Sequence, residues 1–388
     1  MSALAATPQD AAPRVPTVER ADAVVIGAGP AGSVTAALLA RQGMRTVLLE
    51  RERFPRHKVC GCCLGPRGVA ALARAQLGDA IEGSHALESV SLAHGTRWMS
   101  LPLSGTRVMG RDVMDSRLAS AAARAGCDVR MGLRAAVVDA GGARGPAQVS
   151  VSEAGHSQSR TILARIVVCA DGIGGTSLAP LSGTASWAIE PRSRFGVSAT
   201  LPAGALGVPA GQLWMMSHAD GYVGAVRLPS GDVDVAAALD PAAARRAGGP
   251  GALIAAVIAG CGREFSECAA HRWKGTPALT RRRAWVARDR VICVGDAAGY
   301  VEPFTGEGMS WAIEGAVVAA RIAPAVMASG DATPWSRALA DAIGGHQRRC
   351  RRVAAMLRYP RATMCALRAA SRVPGMRRRL GAIATGAS

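Results

Sequence analysis

The stretch Asp22-Ala23-Val24-Val25-Ile26-Gly27-Ala28-Gly29-Pro30-Ala31-Gly32 decides the fold of this chain. Asp22 to Ile26 is short, apolar and β-branched, as a strand buried on both faces of a parallel sheet must be. Ser33 to Gly43 reads as a helix that stops at its glycine. Arg45 to Glu50 reads as a second strand, which completes a βαβ unit of about thirty residues. Each glycine has its own job. Gly27 permits the tight turn, Gly29 lets the backbone approach a pyrophosphate, and Gly32 allows close helix–strand packing. Pro30 and Ala31 open the helix, whose free N–H groups face the phosphates. Glu50 is placed to accept hydrogen bonds from the ribose hydroxyls of a dinucleotide, and Arg51 beside it joins the same set. A glycine turn without a ligand is the plain alternative, and the motif alone does not separate NAD from FAD.

Outward from this unit, Asp115 to Ala125 reads as a helix. Val129 to Val138, Gln148 to Val151 and Thr161 to Cys169 read as a β-meander returning to an apolar strand. Arg194 to Leu239 holds several strands, and Pro229-Ser230-Gly231-Asp232 is a hairpin turn by its residue chemistry. Val291 to Val294 is another buried strand, and Gly308 to Met327 a long apolar helix. The expected fold is α/β: a Rossmann-like dinucleotide domain, discontinuous in sequence, with an inserted antiparallel β-rich substrate domain and a helical C-terminal tail. Residues 1–20 form a leader. Residues 21–75, 107–180 and 288–330 are expected to form the dinucleotide-binding domain, 76–106 and 181–287 the substrate domain, and 331–388 the basic tail.

A second constellation, Cys293-Val294-Gly295-Asp296-Ala297-Ala298-Gly299, follows a strand, and Val301-Glu302-Pro303-Phe304-Thr305-Gly306-Glu307-Gly308 opens the long helix. Here the sequence resembles the FAD-dependent oxidoreductases of the para-hydroxybenzoate hydroxylase fold, on their geranylgeranyl reductase and halogenase side, over roughly residues 20 to 330. The resemblance implies that Gly295 and Asp296 hold the ribityl chain of FAD. It also implies that Pro303, Gly306 and Gly308 lie beside the isoalloxazine, with helix amides stabilising negative charge there. Arg111, four residues before Asp115, resembles the family arginine that reaches the cofactor, with a solvated helix face as the alternative. Asp171 in Ala170-Asp171-Gly172 resembles the aspartate near the pyrophosphate. No arginine follows Ser177, which departs from the family's pattern.

Arg56-His57-Lys58-Val59-Cys60-Gly61 resembles the reductase branch, with Cys62 where an acidic residue is usual. His57 and Cys60 are the catalytic candidates; a solvated loop histidine and cysteines packed in the loop are the other readings. No metal site is expected, because no second cysteine or histidine pair completes four ligands. Trp187-Ala188-Ile189-Glu190-Pro191 keeps only a fragment of the halogenase signature. Tyr222 to Pro229 keeps the tyrosine of the reductases' aromatic strand without its tryptophan and phenylalanine.

Composition narrows the classes. The 388 residues are 49% hydrophobic, which is ample for a core and excludes wholesale disorder. Aromatic residues make up 4%, which argues against a surface built to stack bases. The net charge is +18, and the 46 basic residues include two lysines, Lys58 and Lys274. From Asp341 onward there are 11 Arg and one Asp, a local excess of +10. That terminus suits an anionic membrane surface, and no nucleic-acid motif accompanies it. No secretory signal is visible and no 18-residue apolar run is expected, so the reading is a cytoplasmic protein, with peripheral membrane contact left open.

The expected activity is that of an FAD-dependent oxidoreductase: a monooxygenase hydroxylating an apolar or aromatic small molecule with NADH or NADPH and O2. The alternatives are geranylgeranyl reductase-like reduction of carbon–carbon double bonds in an isoprenoid or lipid, and a flavin-binding, membrane-associated module without turnover.

Overall fold

A computed structural model describes residues 18–385 apart from 144, 154–157, 182–186, 266–267, 269–270, 303 and 305. Pro303 therefore lies outside the described residues. The first strand, Glu19–Ile26, pairs in parallel with Thr46–Glu50 on one side and with Ser159–Cys169 on the other. Asp128–Met131 extends the sheet beyond Thr46–Glu50, and Val291–Cys293 lies beyond Ser159–Cys169, both in parallel. Strands distant in sequence thus form one parallel sheet, as expected of a discontinuous α/β unit.

Both faces of that sheet are covered, which is why its strands read as unbroken apolar runs. Ala23 and Val25 face the helices Pro30–Arg41, Arg111–Arg124 and Gly308–Ser329, while Val24 and Ile26 pack under the antiparallel strands Leu133–Asp139 and Ala147–Glu153. The single strand expected over Val129 to Val138 is two. The chain turns at Gly132, φ +79°, leaves the parallel sheet and starts the meander.

A second, eight-stranded sheet runs in the order Lys274–Ala278, Phe195–Leu201, Val233–Leu239, Gly221–Arg227, Gln212–His218, His85–His94, Arg97–Val108, Cys63–Leu64. It is antiparallel except where Gln212–His218 meets His85–His94. Side-chain alternation sorts its faces. Trp214, Met216, Val223, Val235 and Leu239 pack under the helix Pro250–Gly260. Leu213, Met215, Tyr222, Asp234, Ala236 and Ala238 turn toward the parallel-sheet unit. A small sheet of Trp187–Ile189, Arg281–Arg283 and Gly299–Tyr300 joins the two. Beside it the buried pair Arg194–Glu302, 3.0 Å apart, ties the inserted strands to the loop before the long helix.

Gly308–Ser329 corrects one expectation. This helix has 22 residues and contains an 18-residue stretch of mean hydropathy 1.4, so by length and composition it is long and apolar enough to cross a membrane. Half of that apolar stretch is buried inside the fold, and Glu314, which interrupts it, pairs with Arg67 at 2.8 Å. It is the core helix of the parallel unit. The C-terminal segment is helical, with helices at Pro334–Leu339, Gly345–Met356, Pro360–Ser371 and Met376–Thr385. It is also fastened to the fold. Trp335 is fully buried and donates to the Cys293 carbonyl, Met364 enters the apolar cluster with Val90, Leu92 and Leu101, and Arg377 donates to the Ser100 carbonyl at 2.8 Å.

Candidate active site

The two units enclose a cavity of about 430 Å³. Its floor is the glycine turn. Gly27 has φ +100°, and a Cβ there would overlap the Ala170 carbonyl of the neighbouring strand. A Cβ on Gly32 would overlap the Gly27 carbonyl, so the helix can sit close over the strand end only without one. Gly29 is different. A Cβ there would meet nothing nearer than the Arg111 and Arg56 guanidinium nitrogens, at 3.9 and 4.0 Å, so its surroundings are open and electropositive. The helix Pro30–Arg41 has no side-chain cap and no acid in its first turn, which leaves its amide ends available to an anion.

Glu50 closes one end. Its Oε2 accepts from the Ala28 amide at 2.8 Å and its Oε1 from the Glu52 amide at 3.0 Å. A charged line continues from it: Arg56 lies 3.7 Å from Glu50 and 3.3 Å from Asp115, and Arg111 donates twice to Asp115 at 2.8 Å. Asp115 is fully buried, so two guanidinium groups on one carboxylate keep that charge paired. Asp171 accepts from the Ser177 amide at 2.9 Å and keeps a second, buried oxygen without a partner.

The wall across from Gly29 carries Asp296, whose carboxyl is pushed up to about 6 by burial against the opposing pull of Lys58 and Arg111. Burial, then Arg56 and Arg111, lowers the Lys58 ammonium. Gly306, φ +72°, turns the chain over Cys63 just before the long helix. His57 is lowered by burial and then by Lys274, which favours its neutral form. Cys60 is held down to about 6, first by a hydrogen bond from Cys62 and, against burial, by the positive charge of Arg111.

The cavity gathers most of the residues singled out in the sequence: Gly27, Gly29, Pro30, Ala31, Glu50, Arg51, His57, Cys60, Arg111, Asp171, Asp296, Gly306 and Gly308 all line it. Gly32 and Gly295 lie behind that surface and shape it; a Cβ on Gly295 would come within 2.9 Å of the Ala31 Cβ. Sequence reasoning placed Arg56 and Lys58 in the loop that resembles the reductase branch but gave them no role, and it missed Asp234 as a member of the site. A signal existed for Asp234, a lone acid in the apolar strand Val233–Leu239, on the face shared by Ala236 and Ala238.

The donors present fit FAD. Open space over Gly29, uncapped helix amides, the buried and unpartnered Nε of half-buried Arg56 and the free Asp171 oxygen suit a pyrophosphate and its neighbouring hydroxyls. Residues 20–341 match the family model described as FAD binding domain. The chain is 27% identical to the menaquinone reductase of Mycolicibacterium smegmatis over 379 residues, covering 88% of this chain and 86% of that protein. It is 29% identical to the kynurenine 3-monooxygenase of Salinispora arenicola over 338 residues, covering 76% and 70%. Its fold is shared with a flavoprotein/dehydrogenase from Cytophaga hutchinsonii, at TM-score 0.80 and 19% identity over 94% and 93% of the two chains. With the βαβ fingerprint and the Asp296–Gly308 segment facing one cavity, the chain belongs to the FAD-binding-domain family and is an FAD-dependent oxidoreductase.

Proposed function

We propose that this flavoprotein hydroxylates an apolar or aromatic small molecule, with NADH or NADPH as electron source and O2 as oxygen source. The carrying observation is the wall facing the Asp296–Gly308 segment: Leu213, Met215, Ala236 and Ala238 present small or apolar side chains to the cavity, and Gly224 leaves room between them. Such a wall takes up an apolar ring and offers few polar partners. The likeness to a kynurenine 3-monooxygenase supports the reading. In it, residues 21–75, 107–180 and 288–330 hold the cofactor, while 76–106 and 181–287 present the substrate. Gly27, Gly29, Pro30, Ala31, Gly32 and Arg111 take the pyrophosphate, with Asp171 beside it. Glu50 and Arg51 take the adenosine ribose, Gly295 and Asp296 the ribityl chain, and Gly306 and Gly308 the edge of the ring system. FAD supplies two-electron transfer when bound.

A second reading, reduction of a carbon–carbon double bond, is favoured by Cys60, a thiol held beside Arg111 on the cavity wall, and by the likeness to a menaquinone reductase. One experiment separates them. The purified protein is supplied with NADH or NADPH, in air and without it, and offered aromatic acids, menaquinone and prenyl lipids. A product heavier by one oxygen supports hydroxylation, and one heavier by two hydrogens supports reduction. Bound FAD with no turnover of any of them would leave a flavin-binding module.

The C-terminal helices add a membrane reading. Leu357 turns into the fold, but Met356, Tyr359 and Val373 are exposed among arginines. We propose that this face rests on an anionic membrane, each arginine near the surface adding about 1 kcal/mol. Co-sedimentation with anionic liposomes at low salt and release at high salt is the expected result; no binding at low salt removes the proposal.

A further inference from the structure

Glu307 stands at the start of the long helix Gly308–Ser329, between Gly306 and Gly308 of the cavity lining. The first turn of that helix faces the cavity, with Gly308, Met309 and Ala312 on its surface. The amides at the start of a helix have no partner within it, and an acid placed there is ordinarily drawn to them. Glu307 behaves differently. Its side chain makes no capping hydrogen bond. It reaches instead to the C-terminal segment, where its Oε2 accepts from the Cys350 thiol, with Sγ 2.6 Å away. Both groups are buried, Glu307 at 4% exposure and Cys350 at 5%. Cys350 is the buried residue of Arg348-Arg349-Cys350-Arg351-Arg352, on the helix Gly345–Met356. It sits in the apolar cluster that also holds Met309, Ile313, Trp335 and Ile343, so packing fixes its thiol beside the start of the long helix.

We propose that Cys350 is a positioning residue for the flavin: it holds the Glu307 carboxylate away from the amide end of the long helix and leaves that positive end to the cofactor. The proposal rests on the reading that Gly306 and Gly308 take the edge of the ring system. A ring that gains negative charge on reduction and a carboxylate folded back over the helix start would compete for the same few amides, and would repel one another. Tied to Cys350, the carboxylate has its hydrogen bond elsewhere, and the helix end stays positive toward the cavity. Cys350 touches neither cofactor nor substrate and acts only through Glu307. No bond is made or broken, and the thiol remains S–H throughout. The arginine-rich segment thus has an inward task that its charge does not reveal, and the task is the same for hydroxylation and for double-bond reduction.

The test uses the FAD-loaded protein, titrated under nitrogen against a redox dye so that flavin absorbance gives the midpoint potential. Cys350→Ala should lower the potential, disfavouring the reduced flavin about tenfold, which is about 30 mV for a two-electron couple. Cys350→Ser keeps a hydrogen-bond donor and should stay near the wild type. Glu307→Gln alone should raise the potential slightly. Added to Cys350→Ala, it should return the potential to the wild-type value or above, because no charge is left to fold back. A merely structural role for Cys350 would not be undone in this way. If Cys350→Ala releases FAD, the same comparison is made on FAD affinity, which Glu307→Gln must then restore. The proposal is overturned if Cys350→Ala leaves potential and affinity unchanged, if Cys350→Ser falls as far as Cys350→Ala, or if the loss persists with Glu307→Gln. Where Glu307→Gln shifts the potential and Cys350→Ala does not, the placement of the ring edge stands and only the role of Cys350 falls. Where neither shifts it, the placement falls as well.

Discussion

The floor and the far wall of the cavity are built in opposite ways. The floor is backbone: Gly27, Gly29 and Gly32 lie within one turn, and their work is to have no side chain. The wall is made of side chains from three strands and a distant loop, with Met215, Tyr222, Asp234 and Cys60 brought together from positions over 150 residues apart. A backbone site depends on local conformation and tolerates almost no change. A side-chain wall depends on register and can change chemistry while its strands stay put.

Substitutions can break that contrast, starting from the floor. Gly27→Ala places a Cβ on the Ala170 carbonyl at φ +100°, and strain of this kind costs about 1–3 kcal/mol even before the clash relaxes. The purified variant should lose its FAD and melt earlier; a yellow variant with wild-type Tm would show that the turn is not under this constraint. At the boundary between floor and wall, Asp296→Ala should remove a charge-assisted hydrogen bond of about 1.5–3 kcal/mol, weakening FAD roughly tenfold or more. The pH dependence has a definite sign. With its carboxyl raised to about 6, Asp296 must lose a proton below that pH to accept from the cofactor, so FAD affinity should fall as pH drops through 6. The FAD-free protein should show the reverse: a raised carboxyl stabilises the fold at low pH, and that contribution is lost as pH rises through about 6. Equilibrium FAD titration from pH 5 to 8 and thermal melts of the FAD-free protein from pH 4 to 7 measure the two; a flat affinity profile would mean the carboxyl does not touch FAD, and a flat melting profile that its pKa is not raised. The smallest effect belongs to the wall. Ala236→Leu fills cavity space without reaching the glycine turn, so FAD content should be unchanged while turnover of the substrate falls. Loss of FAD in this variant would mean that floor and wall are not separable.

The legibility of the site follows the same division. The fingerprint and the Gly295–Gly308 segment were readable because each is a local solution to a local problem: a strand must end, a phosphate must approach, and a helix must start. Residues within a few positions of one another carry the whole signal. The discontinuous sheet was readable too, because strands buried on both faces announce themselves as apolar runs wherever they occur. The break at Gly132 was missed because apolar alternation continues through it, and only the change of partner strand reveals two strands. The spanning-length helix Gly308–Ser329 was misjudged for a related reason. Glu314 and Arg321 interrupt its apolar run, yet the surrounding alanines, valines and isoleucines keep an 18-residue stretch at a mean hydropathy of 1.4.

By itself the sequence determined that a βαβ unit carries a dinucleotide fingerprint, that a second glycine turn opens the long helix, and that positive charge collects at the C-terminal end. It could do so because backbone conformation, helix termini and net charge are set by neighbours along the chain. The tertiary structure alone decided that Asp234, Cys60 and Arg111 line one cavity, and that the C-terminal helices are fastened to both units through Trp335, Met364 and Arg377. Those contacts join residues far apart in sequence. Their energies arise from burial and charge pairing, which exist only once the strands have taken their register and water has been excluded.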